Sequence, residues 1–213
     1  MELIWLGHSC VRLRGRDTVI LQDPFDRTLG YPVGRWTADI VTISHDHPGH
    51  NNISAVQGNP KVLRGPGEYD IGPASIVGVA SFHDKQRGKE RGRNTAFVVE
   101  MDGVRVCHLG DIGDTPTAET AKAIGPVDVL LVPVGGSTTI DAQGALETVN
   151  LLEPKIIVPI HYRTPALQRQ DLAGVEPFLQ MMAIAHLTPV ARLNVTPATL
   201  PSESQVVLLE YVT

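Results

Sequence analysis

The chain has 213 residues, of which 42% are hydrophobic and 19% charged, and its formal net charge is −5 with histidine counted as neutral. This length and composition are typical of a globular protein with one full core, so we expect a single domain over residues 1–213. The acidic balance predicts neither nucleic acid nor an anionic membrane as a partner. The longest apolar runs are far shorter than the roughly 20 residues that cross a bilayer.

The N-terminal residues and the cysteines indicate the compartment. Residues 1–7 show no basic stretch followed by a long apolar one, so we expect no signal peptide and a cytoplasmic location. Cys10 and Cys107 are the two cysteines, and their spacing is not that of a CxxC motif. We expect both to be reduced thiols in the core.

Short strands separated by turns are predicted in the first half of the chain. Apolar runs bounded by glycine and polar residues predict strands at residues 2–6, 10–13, 18–21, 39–43, 61–63, 74–80, 95–101 and 104–108. The run at 39–43 is mostly apolar, as in a strand buried on both faces. Asp102 and Gly103 favour the positive φ angles of a type I′ hairpin turn.

Helices alternate with strands in the second half. The pattern predicts helices at residues 116–124, 141–152 and around 168–185, and strands at residues 127–132, 156–160, 190–195 and 205–212. Thr138 and Asp141 resemble a capping box at the start of the second helix. A half rich in strands, followed by strand–helix alternation, predicts sheets covered by helices in one α/β body.

Three histidines, His45, His47 and His50, follow the strand at 39–43. Side chains alternate in extended backbone, so His45 and His47 point to the same side and reach one cation. Imidazole binds Zn²⁺ at about 2.0–2.1 Å. The alternative is a surface turn that happens to be rich in histidine. The spacing therefore predicts a metal site on a loop, because a helical site needs ligands four residues apart.

Three more candidate ligands also follow strands. His83 comes after the strand that begins at residue 74, Asp111 follows residues 104–108 through a Gly-Asp turn, and His161 follows residues 156–160. The carboxyl ends of strands in α/β sheets gather ligand-binding loops at one edge. We therefore expect these side chains to converge with the histidine loop. Taken singly, each has the alternative of a turn aspartate or a core histidine.

Six segments, in this order along the chain, resemble the metallo-β-lactamase superfamily. They are WLGHSC at residues 5–10, QDPF at 22–25, SHDHPGH at 44–50, SFH at 81–83, HLGD at 108–111 and PIHY at 159–162. The set covers nearly the whole chain and resembles the branch of small bacterial Zn-dependent hydrolases that includes proteins similar to ascorbate-6-phosphate lactonase and N-acyl-phosphatidylethanolamine phospholipase D. The resemblance implies an αββα sandwich, with mixed sheets flanked by helices and a metal site at one edge.

The resemblance also implies a set of metal ligands. The first ion would be bound by one group of histidines and the second by another, and an aspartate with a catalytic role would bridge the two ions. These residues are His45, His47 and His83 for the first ion, His50 and His161 for the second, and Asp111 between them.

Three further residues are expected around these ligands. Asp23 stands where the family keeps an acid that supports the histidine loop, so it should orient a ligand through a hydrogen bond. His8 lies in a family motif near the site, either beside the ligands or as a structural residue. Asp46 either contacts the ligands from outside or faces solvent, because alternation turns it away from His45 and His47.

Gly49 departs from the family's pattern, which has an aspartate at this point of the loop to help hold the second ion and orient the attacking water. The second site is then left with His50, Asp111 and His161. Three ligands and a water still form a tetrahedral zinc site, but we expect weaker binding there. The sequence does not decide between one and two Zn²⁺ ions per chain, nor between zinc and Mn²⁺ or iron.

Basic residues near the predicted ligands are candidates for binding an anionic substrate. Residues 84–94 follow His83 directly and contain Arg91 and Arg93, and Arg163 stands two residues after His161. Guanidinium groups bind phosphate and carboxylate groups through paired hydrogen bonds. The alternative for each is a solvated loop residue. Residues 135–137 either offer backbone N–H groups to an anion or form a tight turn.

Together these residues predict a hydrolase that uses a metal-activated water on a small-molecule ester, lactone or phosphodiester. The sequence contains no GxSxG nucleophile motif. One alternative is a nuclease or nucleotide phosphodiesterase of the same superfamily, which the acidic charge disfavours. The other is a metal-binding protein without catalysis, for which Gly49 would be the signature. The oligomeric state is not predicted.

Overall fold

The computed structural model describes residues 1–168 and 171–212. Its strands are β1 (Glu2–Gly7), β2 (Cys10–Arg14), β3 (Val19–Gln22), β4 (Trp36–Thr37), β5 (Ile40–Ile43), β6 (Val56–Gln57), β7 (Lys61–Arg64), β8 (Gly67–Ile71), β9 (Ala74–Phe82), β10 (Arg93–Met101), β11 (Val104–His108), β12 (Val129–Pro133), β13 (Ile156–Ile160), β14 (Leu193–Asn194) and β15 (Gln205–Val206). Its helices are α1 (Ala118–Ile124), α2 (Ala142–Leu152) and α3 (Glu176–Met181), with 3₁₀ turns at Arg27–Leu29, Ile53–Ala55 and Pro197–Thr199.

Two mixed sheets make up the body of the protein. The first has the strand order β14-β1-β2-β3-β5-β7 and the second β15-β13-β12-β11-β10-β9-β8, while β4 and β6 form a short parallel ribbon. In the first sheet β1, β2 and β3 are antiparallel neighbours, whereas β3, β5 and β7 are parallel. In the second, β9, β10 and β11 are antiparallel neighbours, whereas β11, β12 and β13 are parallel. The predicted mixed α/β sandwich is confirmed.

Strands β1, β2, β3 and β5 of the first sheet contribute side chains to two hydrophobic clusters. Leu3 and Ile20 are fully buried in the main core, together with Phe97 of the second sheet. Leu21 and Val41 point the other way into a smaller cluster. This alternation follows from the two-residue period of a strand, and it explains why residues 39–43 are apolar on both faces.

Few helices flank the sheets. Helix α1 packs on β9, and α2 packs on β12 and α3, so these helices lie against the second sheet. The smaller cluster on the first sheet is completed instead by Leu29 of a 3₁₀ turn and by Leu167 and Leu172 of the segment that follows β13. The sandwich is thus covered unevenly, with helices on one side and mainly irregular chain on the other.

Local sequence signals predict most of the helices and strands. The differences occur where the bounds of an element depend on its pairing partner. Residues 102 and 103 have φ angles of 55° and 75°, which confirms the hairpin turn. At the start of α2, Asp141 is itself the N-cap and accepts from Gly144 N at 3.0 Å, so the predicted box with Thr138 is wrong. The late strands at 190–195 and 205–212 shorten to β14 and β15.

The helix predicted around 168–185 is reduced to the six residues of α3, and residues 169 and 170 of that range lie outside the described residues. Strands β4, β6 and β8 were not predicted from sequence, because two of them have two residues each and β8 is mostly exposed. None of the described helices has the length and apolar character that a membrane span needs. Cys10 and Cys107 are buried, free thiols, as predicted.

The carboxyl ends of several strands meet at one edge of the sandwich. Because β9 and β11 are both antiparallel to β10, they run in the same direction as each other, and β12 and β13 run with them. Strand β5 of the first sheet ends at the same place, since the carbonyl of Ser44 accepts from Thr95 N at 2.9 Å, near the start of β10. Histidine and aspartate residues follow these strand ends.

Candidate metal centre

One carboxylate oxygen, Oδ2 of Asp111, lies at the centre of four histidines. The Nε2 atoms of His50 and His161 are each 3.2 Å from it, that of His83 is 3.5 Å away and that of His45 is 3.9 Å away. All five residues are buried. The structure therefore brings together the predicted bridging aspartate and histidines from three other strand ends.

The histidines form two groups, and members of both contact Asp111. His45, His47 and His83 have ligand atoms within 4.8 Å of one another, and so do His50, His161 and His8. The first group is the predicted ligand set of the first ion. His47 is exposed at its rim, with its ring centroid 4.6 Å from that of His45 and 5.1 Å from that of His83.

Buried nitrogen atoms of the cluster point to a cation. Among the described residues, Nε2 of His45 and both ring nitrogens of His161 are buried without a hydrogen-bond partner. Nε2 of His161 is close to Asp111 but does not meet the geometry of a hydrogen bond. Unpaired buried polar atoms are costly, and a coordinated ion satisfies them. Imidazoles with one carboxylate suit zinc, iron or manganese, so the residues present fit a divalent metal centre.

Asp23 holds two of the histidines in place. Its Oδ2 lies 2.9 Å from Nδ1 of His50, and its Oδ1 accepts from Ser44 N at 2.8 Å. The hydroxyl of Ser44 donates to Asp23 and lies 2.9 Å from Nδ1 of His45. Asp23 thus contacts one ligand directly and a second through Ser44, leaving both Nε2 atoms turned toward Asp111. Sequence analysis did not single out Ser44, although it precedes the first histidine of the loop.

Asp111 is fixed by two further residues that the sequence analysis missed. Asn94 accepts from Asp111 N at 3.0 Å and donates to the carbonyl of Leu109 at 2.8 Å. The hydroxyl of Ser9 donates to Oδ1 of Asp111 at 3.3 Å, which leaves Oδ2 for the histidines. Ser9 lies within the first family motif, but Asn94 gave no sequence signal, because an asparagine next to a strand is typical of a turn.

Burial and charge give the ionisable groups of the site different pKa values. Burial raises the pKa of Asp111, but the charges of His161 and His50 outweigh it and hold that pKa well below its usual value. Burial lowers the pKa of His45 to about 3 and that of His83 to about 4. His50 differs, because Asp111 and Asp23 outweigh its burial and raise its pKa to about 10. His45 and His83 are thus neutral at pH 7, as metal ligands must be.

Asp46 does not support the ligands. Its side chain is 82% exposed, 3.5 Å from Nη1 of Arg64, and it accepts from Asn51. The alternation of the extended loop turns it away from His45 and His47, so of the two predicted positions it takes the one facing solvent.

A cavity of about 290 Å³ opens onto the histidines. Its lining includes Arg91, Thr28 and Thr138 as well as four of the candidate ligands, His47, His50, His83 and Asp111. Arg91 is therefore the one predicted substrate-binding arginine that the structure places at the cavity, among the described residues. Burial, His50 and Arg91 together lower the pKa of His47, although Asp111 opposes them, which is consistent with Arg91 lying near the rim.

Arg93 and Arg163, the other two candidates, do not line this cavity. Arg93 pairs with Phe82 across β9 and β10, so it shares the face of that exposed residue. It lines a second groove, of about 680 Å³, whose lining also includes His45 and Ser44. The next residue after Phe82, the buried His83, points to the opposite face of the strand. Arg163 is exposed and does not line the cavity, because the left-handed backbone at His161 (φ 51°) turns the chain and breaks the two-residue spacing.

The loop that carries Arg91 is wound around Asp84. Its Oδ1 accepts from the backbone N–H groups of Gln86 and Gly88 at 2.7 and 2.8 Å, and its Oδ2 from those of Glu90 and Arg91 at 3.0 and 2.8 Å. Burial raises the pKa of Asp84, but these four donors outweigh it and lower that pKa. The loop is thus ordered by its hydrogen bonds to Asp84, while most of its side chains, Arg91 included, are exposed.

The turn at residues 135–137 is structural. The N–H groups of Gly135 and Gly136 donate to the carbonyls of His161 and Ile140 at 3.1 and 3.2 Å. A Cβ atom at Gly135 would lie 2.3 Å from the carbonyl oxygen of His161, so glycine permits the close approach of the two segments. These N–H groups are used within the protein, and the turn helps to place His161.

Comparison with known proteins indicates the family of this chain. The model of the β-lactamase superfamily domain matches residues 2–161. A metal-dependent hydrolase of Methanospirillum hungatei is 31% identical over 81% of this chain and 88% of its own length, and one of Thermoplasma acidophilum is 29% identical over 80% and 87%. A solved structure of a metallo-β-lactamase superfamily protein from Thermotoga maritima is 38% identical, covers 99% of both chains and has a TM-score of 0.82.

The chain belongs to the metallo-β-lactamase superfamily, as its sequence motifs predicted. The enzyme class predicted from sequence, a metal-dependent hydrolase, is the one that the two relatives carry in their names. Similarity to ascorbate-6-phosphate lactonase in particular stays a prediction.

Replacing Asp84 should loosen the loop that carries Arg91. The Asp84→Ala variant removes the acceptor for four backbone N–H groups, so the backbone at the exposed trypsin sites Lys85, Arg87 and Lys89 opens more readily into the protease. We expect cleavage in this loop to be at least about tenfold faster than in the unchanged chain. Limited proteolysis followed by mass spectrometry measures it. Asp70→Ala, which alters an exposed carboxylate on β8, is the matched control, and equal rates for both variants would contradict the anchoring role.

Metal binding at His50 should release a proton. With a pKa of about 10, His50 of the metal-free protein is protonated at pH 7, and it must lose this proton before Nε2 binds an ion. We therefore expect release of about one proton per chain from this residue, and an apparent affinity that rises about tenfold per pH unit between pH 6 and 8. Calorimetric Zn²⁺ titration in buffers of different ionisation enthalpy measures it. Asp23→Asn, which removes one charge that raises this pKa, should release less; heats that are independent of the buffer would refute the assignment.

Proposed function

We propose that the protein is a Zn²⁺-dependent hydrolase that cleaves a small, anionic ester, lactone or phosphodiester. The observation that carries this proposal is the convergence of His45, His50, His83 and His161 on one oxygen of Asp111. The number of imidazoles in the donor set favours zinc over manganese. The similar Thermotoga maritima protein, described as a candidate Zn-dependent hydrolase, supports the same choice.

The roles of the ligands follow from their grouping. His45, His47 and His83 would hold one ion, and His50 and His161 would contribute to a second. Asp111 contacts members of both groups and would contribute to both ions. Zinc bound there would supply Lewis acidity and would lower the pKa of a water molecule toward about 7. Asp23 and Ser44 keep the imidazoles of His50 and His45 oriented, so that their Nε2 atoms face Asp111 before substrate arrives.

The walls of the cavity support a small substrate with a negative charge. Arg91 is the arginine of the lining, and its position is set by the hydrogen bonds of its loop to Asp84. Thr28 and Thr138 add hydroxyl groups. A larger groove of about 710 Å³ shares Thr28 with the cavity and contains Arg27 and Arg35, which gives room for the rest of an anionic substrate. A guanidinium binds a phosphate or carboxylate oxygen in such a setting.

The two alternatives are weaker. A nuclease would need a basic surface for a polyanion, whereas the net charge of the chain is −5. A metal-binding protein without catalysis would be consistent with Gly49, but the open cavity and Arg91 beside the ligands favour substrate binding. A small-molecule substrate is therefore part of the proposal. A cytoplasmic location, expected from the N-terminal sequence, is also part of it.

Removal of metal tests the proposed function. The purified protein is assayed with chromogenic carboxylic esters, lactones and bis-phosphodiesters, before and after chelation and dialysis. We expect chelation to abolish hydrolysis and added Zn²⁺ to restore it. Asp111→Asn should lower kcat by at least about 100-fold, because it removes the charge between the two groups of histidines. Turnover that survives complete metal removal would refute a metal-dependent mechanism.

Arg91 should affect the binding of anionic substrates. Arg91→Ala removes a charge-assisted hydrogen bond of about 1.5–3 kcal/mol, so KM for an anionic substrate should rise roughly 10- to 100-fold. A neutral ester of the same size should be affected much less. Arg163→Ala, which changes an exposed arginine away from the cavity, is the comparison, and its KM should stay within about twofold. An equal effect of Arg91→Ala on charged and neutral substrates would exclude the anion-binding role.

A further inference from the structure

Gly49 and His8 compete for the same space. A Cβ atom built at Gly49 would lie 3.3 Å from Nε2 and 3.5 Å from Cδ2 of His8. The first of these distances is tighter than an ordinary van der Waals contact, and an aspartate would extend beyond its Cβ. The imidazole of His8 therefore lies beside the position at which the superfamily's loop has a carboxylate side chain.

His8 also belongs to the second group of histidines. Its ligand atom lies within 4.8 Å of those of His50 and His161, and all three residues are buried. Its ring centroid is 4.1 Å from that of His161 and 5.1 Å from that of His50. Two nitrogens bound tetrahedrally to one zinc ion are separated by about 3.4 Å, so small ring rotations suffice to bring the three nitrogens onto one ion.

The backbone holds His8 in this place. His8 has a φ of 51°, a left-handed conformation that is uncommon for residues other than glycine. Its carbonyl accepts from Nε1 of Trp5 at 2.9 Å and from the N–H group of His161 at 3.0 Å. The second hydrogen bond ties the two histidines together through their main chains. Backbone strain of this kind is typical of functional sites, where surrounding contacts maintain it.

We propose that His8 is a direct ligand of the second metal ion and replaces the aspartate that is absent at residue 49. This inference rests on the proposed metal-dependent function. The second ion is then held by His8, His50, His161 and Asp111, so Gly49 does not leave the site short of a ligand. The exchange of a carboxylate for an imidazole removes one negative charge and favours zinc over magnesium or manganese.

The zinc content of four proteins tests the proposal. The unchanged chain, His8→Ala, the double variant His8→Ala with Gly49→Asp, and His186→Ala are freed of metal, loaded with excess Zn²⁺ and dialysed. Elemental analysis then gives the ions per chain. We expect about two for the unchanged chain, one for His8→Ala and two for the double variant, because removal of the ring makes room for the new carboxylate. His186 is exposed, so His186→Ala serves as the control for the loss of a histidine and should keep two.

The outcomes separate this inference from the proposed function. If His8→Ala retains two ions with unchanged affinity, or if the unchanged chain binds only one, His8 is not the replacing ligand. If the unchanged chain binds no zinc, the proposed zinc-dependent function fails as well.

A measurement on the unchanged chain covers the case in which His8→Ala does not fold. Long-range ¹H–¹⁵N spectra of protein labelled at its eight histidines are recorded before and after zinc addition. We expect six imidazoles to acquire the nitrogen shift of a metal-bound ring. The two without it should be the exposed His186 and His108, whose Nε2 lies 2.8 Å from the carbonyl oxygen of Ser9 and whose Nδ1 accepts from Gly110 N. Zinc-bound shifts confined to five imidazoles would overturn the proposal.

Discussion

The structure depends on the concentration of ionisable groups around one buried carboxylate. Burial alone disfavours the charged form of Asp111, and the histidines beside it compensate for this cost. In the metal-free chain the compensation is incomplete, because nitrogen atoms of His45 and His161 are buried without hydrogen-bond partners. Divalent cations remove both problems at once, since they neutralise the carboxylate and coordinate the free lone pairs. The buried residues of this site are therefore stabilised by a bound cation, whether or not a substrate is present.

The clustering of the candidate ligands could be predicted from sequence because each of them follows a strand directly or within a short turn. A histidine or aspartate that directly follows a buried strand lies at the edge of a sheet, whatever the order of the strands, so His45, His83, Asp111 and His161 could be assigned together. The main strands were predictable for a similar reason, since their apolar runs are continuous.

The remaining features depend on contacts between distant parts of the chain. Arg93 lines a groove beside His45 and not the cavity that contains Arg91, because its direction is set by its pairing with Phe82. The order of the loop after His83 comes from hydrogen bonds to Asp84, which form only when the loop is closed. The place of His8 follows from a left-handed backbone and from a hydrogen bond to His161, 153 residues away, and neither has a signature in the local pattern. Strands β4 and β6 likewise exist only because they pair with each other.

The ligands come from both halves of the sandwich. His45 and His50 follow β5 of the first sheet, whereas His83, Asp111 and His161 follow strands of the second, next to the hydrogen bond between Ser44 and Thr95. An ion held by both sets is a cross-link between layers that otherwise adhere mainly through apolar packing. The unfolded chain has no preformed metal site. The free energy of metal binding therefore adds to the free energy of unfolding. Scarcity of metal in the cell would thus lower the stability of the folded chain and shorten its lifetime, in addition to abolishing its activity.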